Sequence, residues 1–214
     1  MPSMTRPWEV FDMIKNTAYI KSGDDVDWAV MVDDTYHYVW LIFQESRGSF
    51  TGPDWKNNFR FPAKLYKKQD SCMLVHRGYG DAWKSCNDEI MKAFIKLTEA
   101  YPDCTPVICG WSYGGAMALL AAEDFFYRTH KRAGVITFGA PKPLFGKKTY
   151  KYVRSCVQFV YQWTHVNDCV PLLPPFLGYR RLETNYCGSG FCIVKLFRPD
   201  IYHQIYGDKD IYEA

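Results

Sequence analysis

The segment CGWSYGG places Ser112 between Gly110 and Gly114, directly after the apolar run PVICGW and directly before a run rich in Ala and Leu. The first run predicts a buried strand, and the second predicts a helix. A serine exposed on so tight a strand-to-helix turn needs small residues two positions before and after it, because these positions crowd each other. The pattern therefore predicts that Ser112 is the nucleophile of covalent catalysis.

The backbone N–H of Tyr113 is a second group with a chemical role at this turn. It opens the predicted helix, where free N–H groups and the positive end of the helix dipole lie beside the serine. We expect this N–H to stabilise an oxyanion that forms when the serine attacks a carbonyl group.

A serine nucleophile needs a histidine base and a carboxylate that orients the base, and at this kind of turn the chain order is serine, acid, histidine. Of the five histidines, His37 and His76 precede Ser112 and are excluded. His130 ends the helix that Ser112 begins, about 25 Å away at roughly 1.5 Å per residue. A helix C-terminus favours a positive group, and this explains His130 better than catalysis does.

Two histidines remain as candidates for the base. His165 lies shortly before Asp168, and one short loop can hardly supply both partners in the required geometry. Asp168 follows the predicted strand VQFVYQW, and His203 follows the predicted strand CIVKLF near the end of the sequence. We predict that His203 is the general base and then the general acid, and that Asp168 orients it. Asp200 is the alternative acid, but it is too close to His203 along the chain to be the first choice.

The segments that must position these residues alternate between strands and helices. WAVMV and YVWLIF predict a hairpin, and the later strands PVICGW, GVITFGA and VQFVYQW are almost continuously apolar. DAWKSCNDEIMKAFIKLTEAY and AMALLAAEDFFYRTH have the character of helices. This order predicts an α/β fold with a mostly parallel central sheet flanked by helices. Because no linker, repeat or low-complexity tract interrupts it, we expect one compact domain over residues 1–214.

Charge and hydropathy exclude some classes of function. A net charge of +3, from 26 Lys and Arg against 23 Asp and Glu, does not indicate a surface that binds nucleic acid. The densest basic stretch, KLYKKQD (64–70), is expected to be a solvated loop. No apolar run approaches the roughly 18 residues that a transmembrane segment needs.

The cysteines and the opening residues bear on the cellular compartment. The opening MPSMTRPWEVFDMIKN lacks the continuous apolar region of a signal peptide, and Cys109 lies inside an apolar strand. We therefore expect most of the eight cysteines to be reduced and buried, and the chain to be cytoplasmic. Cys187 and Cys192 are close enough in the sequence for a disulfide bridge, and their pairing stays open.

Five motifs follow one another along the chain: VHRGY (75–79), GWSYGGA (110–116), TFGAP (137–141), DCVPLLPP (168–175) and YHQIY (202–206). In these motifs the chain resembles the class 3, or fungal lipase-like, branch of the α/β-hydrolases. That family shows V-H-x-G-F, G-H-S-L-G-G-A, T-F-G-x-P, D-x-V-P and a late histidine in the same order. The resemblance covers roughly residues 38 to 206, with similar spacing.

The resemblance implies an α/β-hydrolase fold and a serine hydrolase that cleaves carboxylic esters, above all lipid acyl esters, through an acyl-enzyme. It carries the family's triad onto Ser112, Asp168 and His203, and this chemistry needs no metal or organic cofactor. Two other classes stay open. One is an amidase, peptidase or acyltransferase with the same triad, and the other is a catalytically silent lipid-binding member of the fold.

The chain departs from the family pattern near the serine and in the oxyanion loop. Trp111 stands where the family usually has His, and Tyr113 stands where it usually has Leu, which leaves the backbone N–H intact. The family's second oxyanion donor is a Thr or Ser after an early strand. Alignment by the strand's end selects Ser46 and puts Glu45 at a usual glycine position, whereas alignment by the distance to the following DW selects Ser49. Ser46 is preferred because the apolar run ends shortly before it.

The resemblance also implies where a substrate binds. Residues 47–67 fall where family members carry a lid, and their aromatic and basic residues cover an acyl pocket, touch a lipid surface or form an ordinary covering loop. We expect Trp111, Trp55 and Leu173 to contact the substrate, which is a small-molecule or lipid ester, with transient contact to a lipid interface. His76, in the first motif, is expected to be structural.

Overall fold

The computed structural model describes residues 6–23, 26–45, 63–68 and 72–213. The strands in these ranges are β1 (Ile20–Ser22), β2 (Val26–Asp33), β3 (Tyr38–Phe43), β4 (Ala63–Lys67), β5 (Cys72–His76), β6 (Thr105–Trp111), β7 (Ala133–Phe138), β8 (Leu144–Phe145), β9 (Val157–His165), β10 (Tyr179–Arg180) and β11 (Asn185–Cys187). The α-helices are α1 (Pro7–Asn16), α2 (Arg77–Ala100), α3 (Tyr113–Thr129), α4 (Lys147–Cys156) and α5 (Pro199–Tyr202). None of the helices described is both long enough and apolar enough to cross a bilayer.

The larger sheet in the described ranges has seven strands in the order β1-β2-β3-β6-β7-β9-β11. From β3 onward the neighbouring strands run parallel, and β1 and β2 form an antiparallel extension at one edge. The predictions of a mostly parallel sheet and of a hairpin, which is β2–β3, are therefore confirmed. The carboxyl ends of β3, β6, β7 and β9 meet at one edge of the sheet, where sites of this fold class lie.

Both faces of this sheet are covered, which explains why β3 is apolar throughout. All six residues of β3 are buried. Val39 and Leu41 face a core shared with α2 and α3, whereas Trp40 and Ile42 face a core shared with α1 and the C-terminal turns. Each fully buried side chain of this size contributes about 1.5–3 kcal/mol to folding, so the two cores hold the strand ends firmly in place.

A smaller antiparallel sheet in the described residues has the order β10-β8-β5-β4. Its strand β5 leads directly into α2, which begins at Arg77, so the glycines of RGYG lie in the first turns of the helix. A side-chain carbon on Gly80, in the first turns of α2, would lie 2.7 Å from Val75 Cγ2. Close packing of helix on strand therefore accounts for this glycine, and it overrides the low helix propensity of the segment.

The segment CIVKLF does not form the strand that its apolar residues predict. Ile193–Phe197 is a 3-10 helix, in which Ile193 and Val194 are 66% and 70% exposed. The larger sheet ends at β11, which pairs with β9, so the segment lies outside the sheet. An apolar run forms a strand only where neighbouring strands and a packed face can receive it.

All eight cysteines lie in the described residues, and none of them forms a disulfide. Cys187 and Cys192, whose pairing the sequence leaves open, are separate thiols. Burial, followed by the nearby carboxylate of Asp168, raises the pKa of Cys187 to about 12. This thiol is therefore protonated and unreactive near neutral pH.

A buried ionic cluster joins the end of β4 to α3. The Nζ atom of Lys68 lies 2.5 Å from Glu123 Oε2 and 3.0 Å from Asp124 Oδ1. The Nε of Arg128 donates to Asp124 at 3.0 Å, and the hydroxyl of Tyr152 donates to Glu123 at 2.9 Å. The two carboxylate side chains are 0% and 1% exposed. The expectation that KLYKKQD is a solvated loop is therefore wrong, because residues 64–67 are part of β4 and Lys68 belongs to this cluster.

The two carboxyl groups of this cluster respond differently to their surroundings. Burial raises the pKa of Glu123, and Lys68 offsets this only in part. Burial acts on Asp124 in the same direction, but Lys68 and Arg128 outweigh it and lower the pKa of Asp124. As the pH falls, Glu123 therefore takes up a proton before Asp124 does.

Replacing Lys68 with Met tests the cluster. Lys68→Met leaves two buried carboxyl groups with Arg128 as their cation, and we expect the free energy of unfolding at neutral pH to fall by about 3 kcal/mol. Lys64→Met is the matched control, because Lys64 pairs with Asp81 at 2.5 Å on the surface. An exposed pair of this kind contributes less than about 1 kcal/mol. Urea unfolding followed by circular dichroism measures both variants.

The loss caused by Lys68→Met is expected to shrink as the pH is lowered to about 5. A carboxyl group whose pKa is higher in the folded than in the unfolded protein destabilises folding above the folded-state pKa. This cost disappears as the pH falls through that value and Glu123 becomes neutral. If Lys68→Met and Lys64→Met lower the free energy of unfolding equally, the role given to Lys68 is contradicted. The same holds if the loss caused by Lys68→Met does not change with pH.

Candidate active site

Ser112 lies on the turn between β6 and α3 in a strained backbone conformation, with φ 54° and ψ −123°. Its N–H donates to the carbonyl of Phe138 at 2.9 Å, which ties the turn to the end of β7. Backbone strain of this kind costs about 1–3 kcal/mol and persists only where the surroundings hold the residue in place. A serine presented for chemistry at a strand-to-helix turn carries such strain.

Two glycines leave room for the turn. A side-chain carbon on Gly110 would overlap the backbone of Gly114, which is the crowding that the sequence predicts. A side-chain carbon on Gly114 would in turn overlap the backbone of Phe43 and Gln44 at the end of β3. The loop that follows β3, where a second oxyanion donor is expected, therefore starts beside the first turn of α3.

Tyr113 follows the serine in the first turn of α3, where backbone N–H groups have no acceptor within the helix. Its ring is buried and meets the ring of Tyr79 edge-on, with 5.6 Å between the centroids. The side chain thus anchors the turn in the core. The role predicted for Tyr113 belongs to its backbone N–H and does not require this side chain.

Asp168 lies in the loop after β9, and both of its carboxylate oxygens have partners. Oδ1 accepts from the N–H of Val170 at 2.9 Å, and Oδ2 accepts from the hydroxyl of Tyr206 at 2.6 Å. Oδ2 also lies 2.8 Å from Nδ1 of His203. Burial of a carboxylate without such partners is costly, so these three contacts fix the position of the side chain.

His203 follows the short helix α5, and its ring is buried against Asp168. Because Nδ1 faces the carboxylate, the other ring nitrogen, Nε2, is directed away from it. The backbone carbonyl of His203 accepts from the indole N–H of Trp111 at 3.0 Å, and the two rings lie 5.7 Å apart. The residue directly before Ser112 therefore holds the loop that carries the histidine.

Asp168 and His203 meet at Gly139, directly after β7 and next to the backbone that holds the turn of Ser112. The preceding residue, Phe138, accepts the N–H of Ser112. A side-chain carbon on Gly139 would lie 2.7 Å from His203 Cε1 and 2.8 Å from Asp168 Oδ2, and the φ of +56° also favours glycine. The structure thus brings Asp168 and His203 together and sets both beside the turn of Ser112.

Tyr206 and Gly139 support the site, although the sequence patterns assign no role to either of them. Besides donating to Asp168, the hydroxyl of Tyr206 accepts from the N–H of His165 at 3.0 Å. His165, which the sequence sets aside as the base, is therefore part of the support around Asp168. Both missed residues lie within matched motifs, YHQIY and TFGAP, and this was the available signal.

Two further residues have partners away from the site. Asp200, the alternative acid, pairs with Arg198 at 3.0 Å on the surface, where its side chain is 60% exposed. His76 is fully buried and stacks on Tyr79, with 4.3 Å between the ring centroids. The structural role expected for His76 agrees with this packing.

Trp111, which is expected to contact the substrate, is as deeply buried as Asp168. Its side chain is 2% exposed and packs between Phe11 and His203. Trp111 therefore supports the histidine from the core. Leu173 is half-buried, and its carbonyl accepts from the N–H of Lys142 at 2.8 Å.

Outside the described residues lie three expected site residues: Ser46, Ser49 and Trp55. Most of the 47–67 segment lies there as well. The described chain reaches Glu45, where burial raises the pKa of the carboxyl group and the neighbouring His203 and Lys15 oppose this shift in part. A further carboxyl group is therefore close enough to interact with the histidine.

Comparison with known proteins supports the motif resemblance. A family model described as Lipase (class 3) matches residues 44–178. Secreted mono- and diacylglycerol lipase A of Penicillium cyclopium is 29% identical over 158 residues, which are 73% of this chain and 50% of that protein. Secreted mono- and diacylglycerol lipase 1 of Fusarium solani is 32% identical over 146 residues, which are 67% of this chain and 43% of that protein. The chain thus spans half or less of the length of these relatives.

Solved structures of fungal lipases have the same fold. The native Rhizomucor miehei lipase propeptide complex has a TM-score of 0.66 at 23% identity, and the match covers 82% of this chain and 58% of that one. A mutant form of MDLA from Penicillium cyclopium has a TM-score of 0.63 at 26% identity, and the match covers 81% of this chain and 64% of that one. The α/β-hydrolase fold predicted from the sequence is therefore confirmed.

The prediction of a cytoplasmic chain is wrong. The two relatives from Penicillium and Fusarium are named as secreted lipases. The prediction relied on the opening residues and on the cysteines. The opening of a chain that spans half or less of its relatives carries no information about a leader segment.

Tyr206→Phe tests how Asp168 is held. The substitution removes one hydroxyl, which donates to Asp168 and accepts from the N–H of His165, from a fully buried side chain. Each buried group left without its partner costs about 1–3 kcal/mol, so we expect the free energy of unfolding to fall by about 3 kcal/mol. Urea unfolding measures this change.

Tyr186→Phe is the control for the same chemical change. Tyr186 is 67% exposed, and a surface substitution of this kind stays within about 0.5 kcal/mol. If Tyr206→Phe destabilises the protein no more than Tyr186→Phe does, the hydroxyl of Tyr206 does not support Asp168.

Proposed function

The chain belongs to the class 3 lipase family, and from this premise we propose that it hydrolyses carboxylic esters of lipids through Ser112, Asp168 and His203. The observation that carries the proposal is the buried contact between His203 Nδ1 and Asp168 Oδ2, at 2.8 Å, beside the strained turn of Ser112. A nucleophile, a base and an orienting acid are the three groups that acyl transfer by a serine requires.

The proposed reaction has two halves. Ser112 Oγ attacks the carbonyl carbon of the ester while His203 Nε2 takes the hydroxyl proton, and Asp168 stabilises the imidazolium that forms. The ester bond breaks, the alcohol leaves with the proton returned by His203, and the acyl group stays on the serine. Water then attacks the acyl-enzyme, His203 takes and returns a proton in the same way, and the carboxylic acid leaves.

The oxyanion that forms in each half needs hydrogen-bond donors. We assign the backbone N–H of Tyr113, at the positive end of the α3 dipole, as the first donor. Ser46 is the proposed second donor, with Ser49 as the alternative. The backbone of Gln44 lies close to Gly114, so the loop that carries Ser46 and Ser49 starts beside the first turn of α3. This starting point supports the assignment. Loss of one such donor costs about 10²–10³ in rate.

The class of substrate is inferred from the relatives and from the surface near Asp168. Two relatives are named mono- and diacylglycerol lipases, and we propose acylglycerols as substrates of this chain. In the loop after Asp168, Leu172, Phe176 and Leu177 are 46%, 51% and 97% exposed. A cluster of exposed apolar side chains marks an interaction surface. We assign this loop, with Leu173, to the substrate and to transient contact with a lipid interface.

Two substitutions test the proposed roles on a p-nitrophenyl ester of a short fatty acid. We expect Ser112→Ala to reduce turnover to the background rate, because no nucleophile remains. We expect Asp168→Asn to lower kcat by about 10³–10⁴ with little change in KM, because the amide keeps the shape but not the charge that orients the imidazole. The release of p-nitrophenol measures both rates.

Ser155→Ala is the matched control. Ser155 is an exposed serine on α4 whose Oγ donates to the carbonyl of Tyr152, and its substitution should leave turnover unchanged. Unchanged turnover by Ser112→Ala would overturn the assignment of the nucleophile. Comparing the ester with its matching amide tests the reaction class, and faster cleavage of the amide would contradict an esterase.

A further inference from the structure

A cavity lies beside Asp168, and neither Ser112 nor His203 is among its lining residues. Its volume is about 330 Å³, within the roughly 300–1,000 Å³ of small-ligand pockets. The lining comes from the end of β9, the loop after Asp168, the chain around β10 and β11, and the 3-10 helix Ile193–Phe197. Asp168 and Leu172 are the residues that this cavity shares with the site proposed above.

Most of the lining is apolar and reaches the surface. Leu172, Leu196 and Val166 supply aliphatic groups, and Phe191 and Tyr186 supply aromatic rings. Phe191 and Tyr186 are 66% and 67% exposed, so they form an apolar rim at the mouth. Aromatic rings that are exposed to water at the mouth of a cavity favour an apolar ligand.

Arg181 adds a fixed positive charge to this lining. Its Nη1 donates to Thr164 Oγ1 at 2.6 Å, and in the part of the chain that the structure describes no carboxylate forms an ion pair with it. Burial lowers the pKa of Arg181, while nearby groups such as Asp168 oppose the shift. A largely buried arginine is normally paired with an anion.

Among the neighbouring ionisable groups of the lining, Asp168 acts on Arg181 through its charge, but in the described residues it accepts no hydrogen bond from it. The oxygens of Asp168 already accept from three other groups. Burial lowers the pKa of His165, so its imidazole is neutral near pH 7 and adds no charge to the cavity. The guanidinium of Arg181 therefore remains suited to an anion from outside.

We propose that this cavity binds a fatty acid, with the guanidinium of Arg181 on the carboxylate and the acyl chain against Leu172, Phe191 and Leu196. The planar guanidinium presents paired donors that match the two oxygens of a carboxylate. The apolar lining removes the acyl chain from water. The choice of a fatty acid rests on the proposed function, because a fatty acid is the product that leaves the acyl-enzyme. Held here, the product lies apart from Ser112.

The test is displacement of a fluorescent fatty acid, dansyl-labelled undecanoic acid, from the full chain carrying Ser112→Ala, in which hydrolysis cannot alter the ligands. Oleic acid should displace the probe at least about tenfold better than methyl oleate, which lacks the negative charge. Arg181→Gln in the same chain should weaken binding of oleic acid at least about tenfold. Arg180→Gln is the matched control, because Arg180 is the exposed neighbour, and it should leave binding within about twofold.

Two further variants keep the test decisive if Arg181→Gln does not fold, as judged by circular dichroism. Arg181→Lys keeps the positive charge but lacks the paired donors of the guanidinium, and it should bind oleic acid with intermediate strength. Phe191→Ser, on the exposed rim, should weaken binding of both oleic acid and methyl oleate.

Three results would overturn the proposal. Methyl oleate could bind as tightly as oleic acid, Arg181→Gln and Arg180→Gln could bind oleic acid equally, or Phe191→Ser could leave the binding of both ligands unchanged. A chain with wild-type Ser112 that binds oleic acid but cleaves no ester would contradict the proposed function alone. A chain that cleaves esters but binds oleic acid no better than methyl oleate would contradict the cavity proposal alone.

Discussion

One buried contact, between His203 Nδ1 and Asp168 Oδ2 at 2.8 Å, joins two loops whose residues lie 35 positions apart in the sequence. Burying either side chain alone would be costly, because a buried polar group without a partner loses its hydrogen bonds to water and gains none in return. Val170 and Tyr206 supply the other contacts of the carboxylate, and Trp111 holds the backbone of the histidine. The ends of β6 and β9 and the turn after α5 are thereby fixed relative to one another.

The parallel sheet makes this meeting possible, because β6, β7 and β9 end at the same edge. The edge is crowded, and glycine is the residue that fits at Gly110, Gly114 and Gly139. The strain at Ser112 costs about 1–3 kcal/mol. That is comparable with burying a single large apolar side chain, which contributes about 1.5–3 kcal/mol. Two cores, one on each face of the sheet, therefore hold the strained turn without difficulty.

Local patterns predict much of the fold and of the candidate site, whereas contacts between distant segments escape them. Ser112 follows from its glycines and from the strand and helix around it, and Asp168 and His203 follow from their order along the chain. The predicted strand CIVKLF is a 3-10 helix, so α5 and not a strand positions the histidine. The support from Tyr206 and the burial of Lys68 depend on partners 38 and 55 residues away. No spacing rule in a single sequence indicates such pairings.

A crystal structure of the chain inactivated with a fluorophosphonate tests most directly that the buried pair aims an imidazole at the serine. The expected adduct has the phosphonyl group on Ser112 Oγ, with His203 Nε2 within about 3.2 Å of that oxygen. The Tyr113 nitrogen should lie within about 3.1 Å of a phosphonyl oxygen. A phosphonyl group on another residue, or an imidazole turned out of hydrogen-bond reach of Ser112, would contradict the assignment.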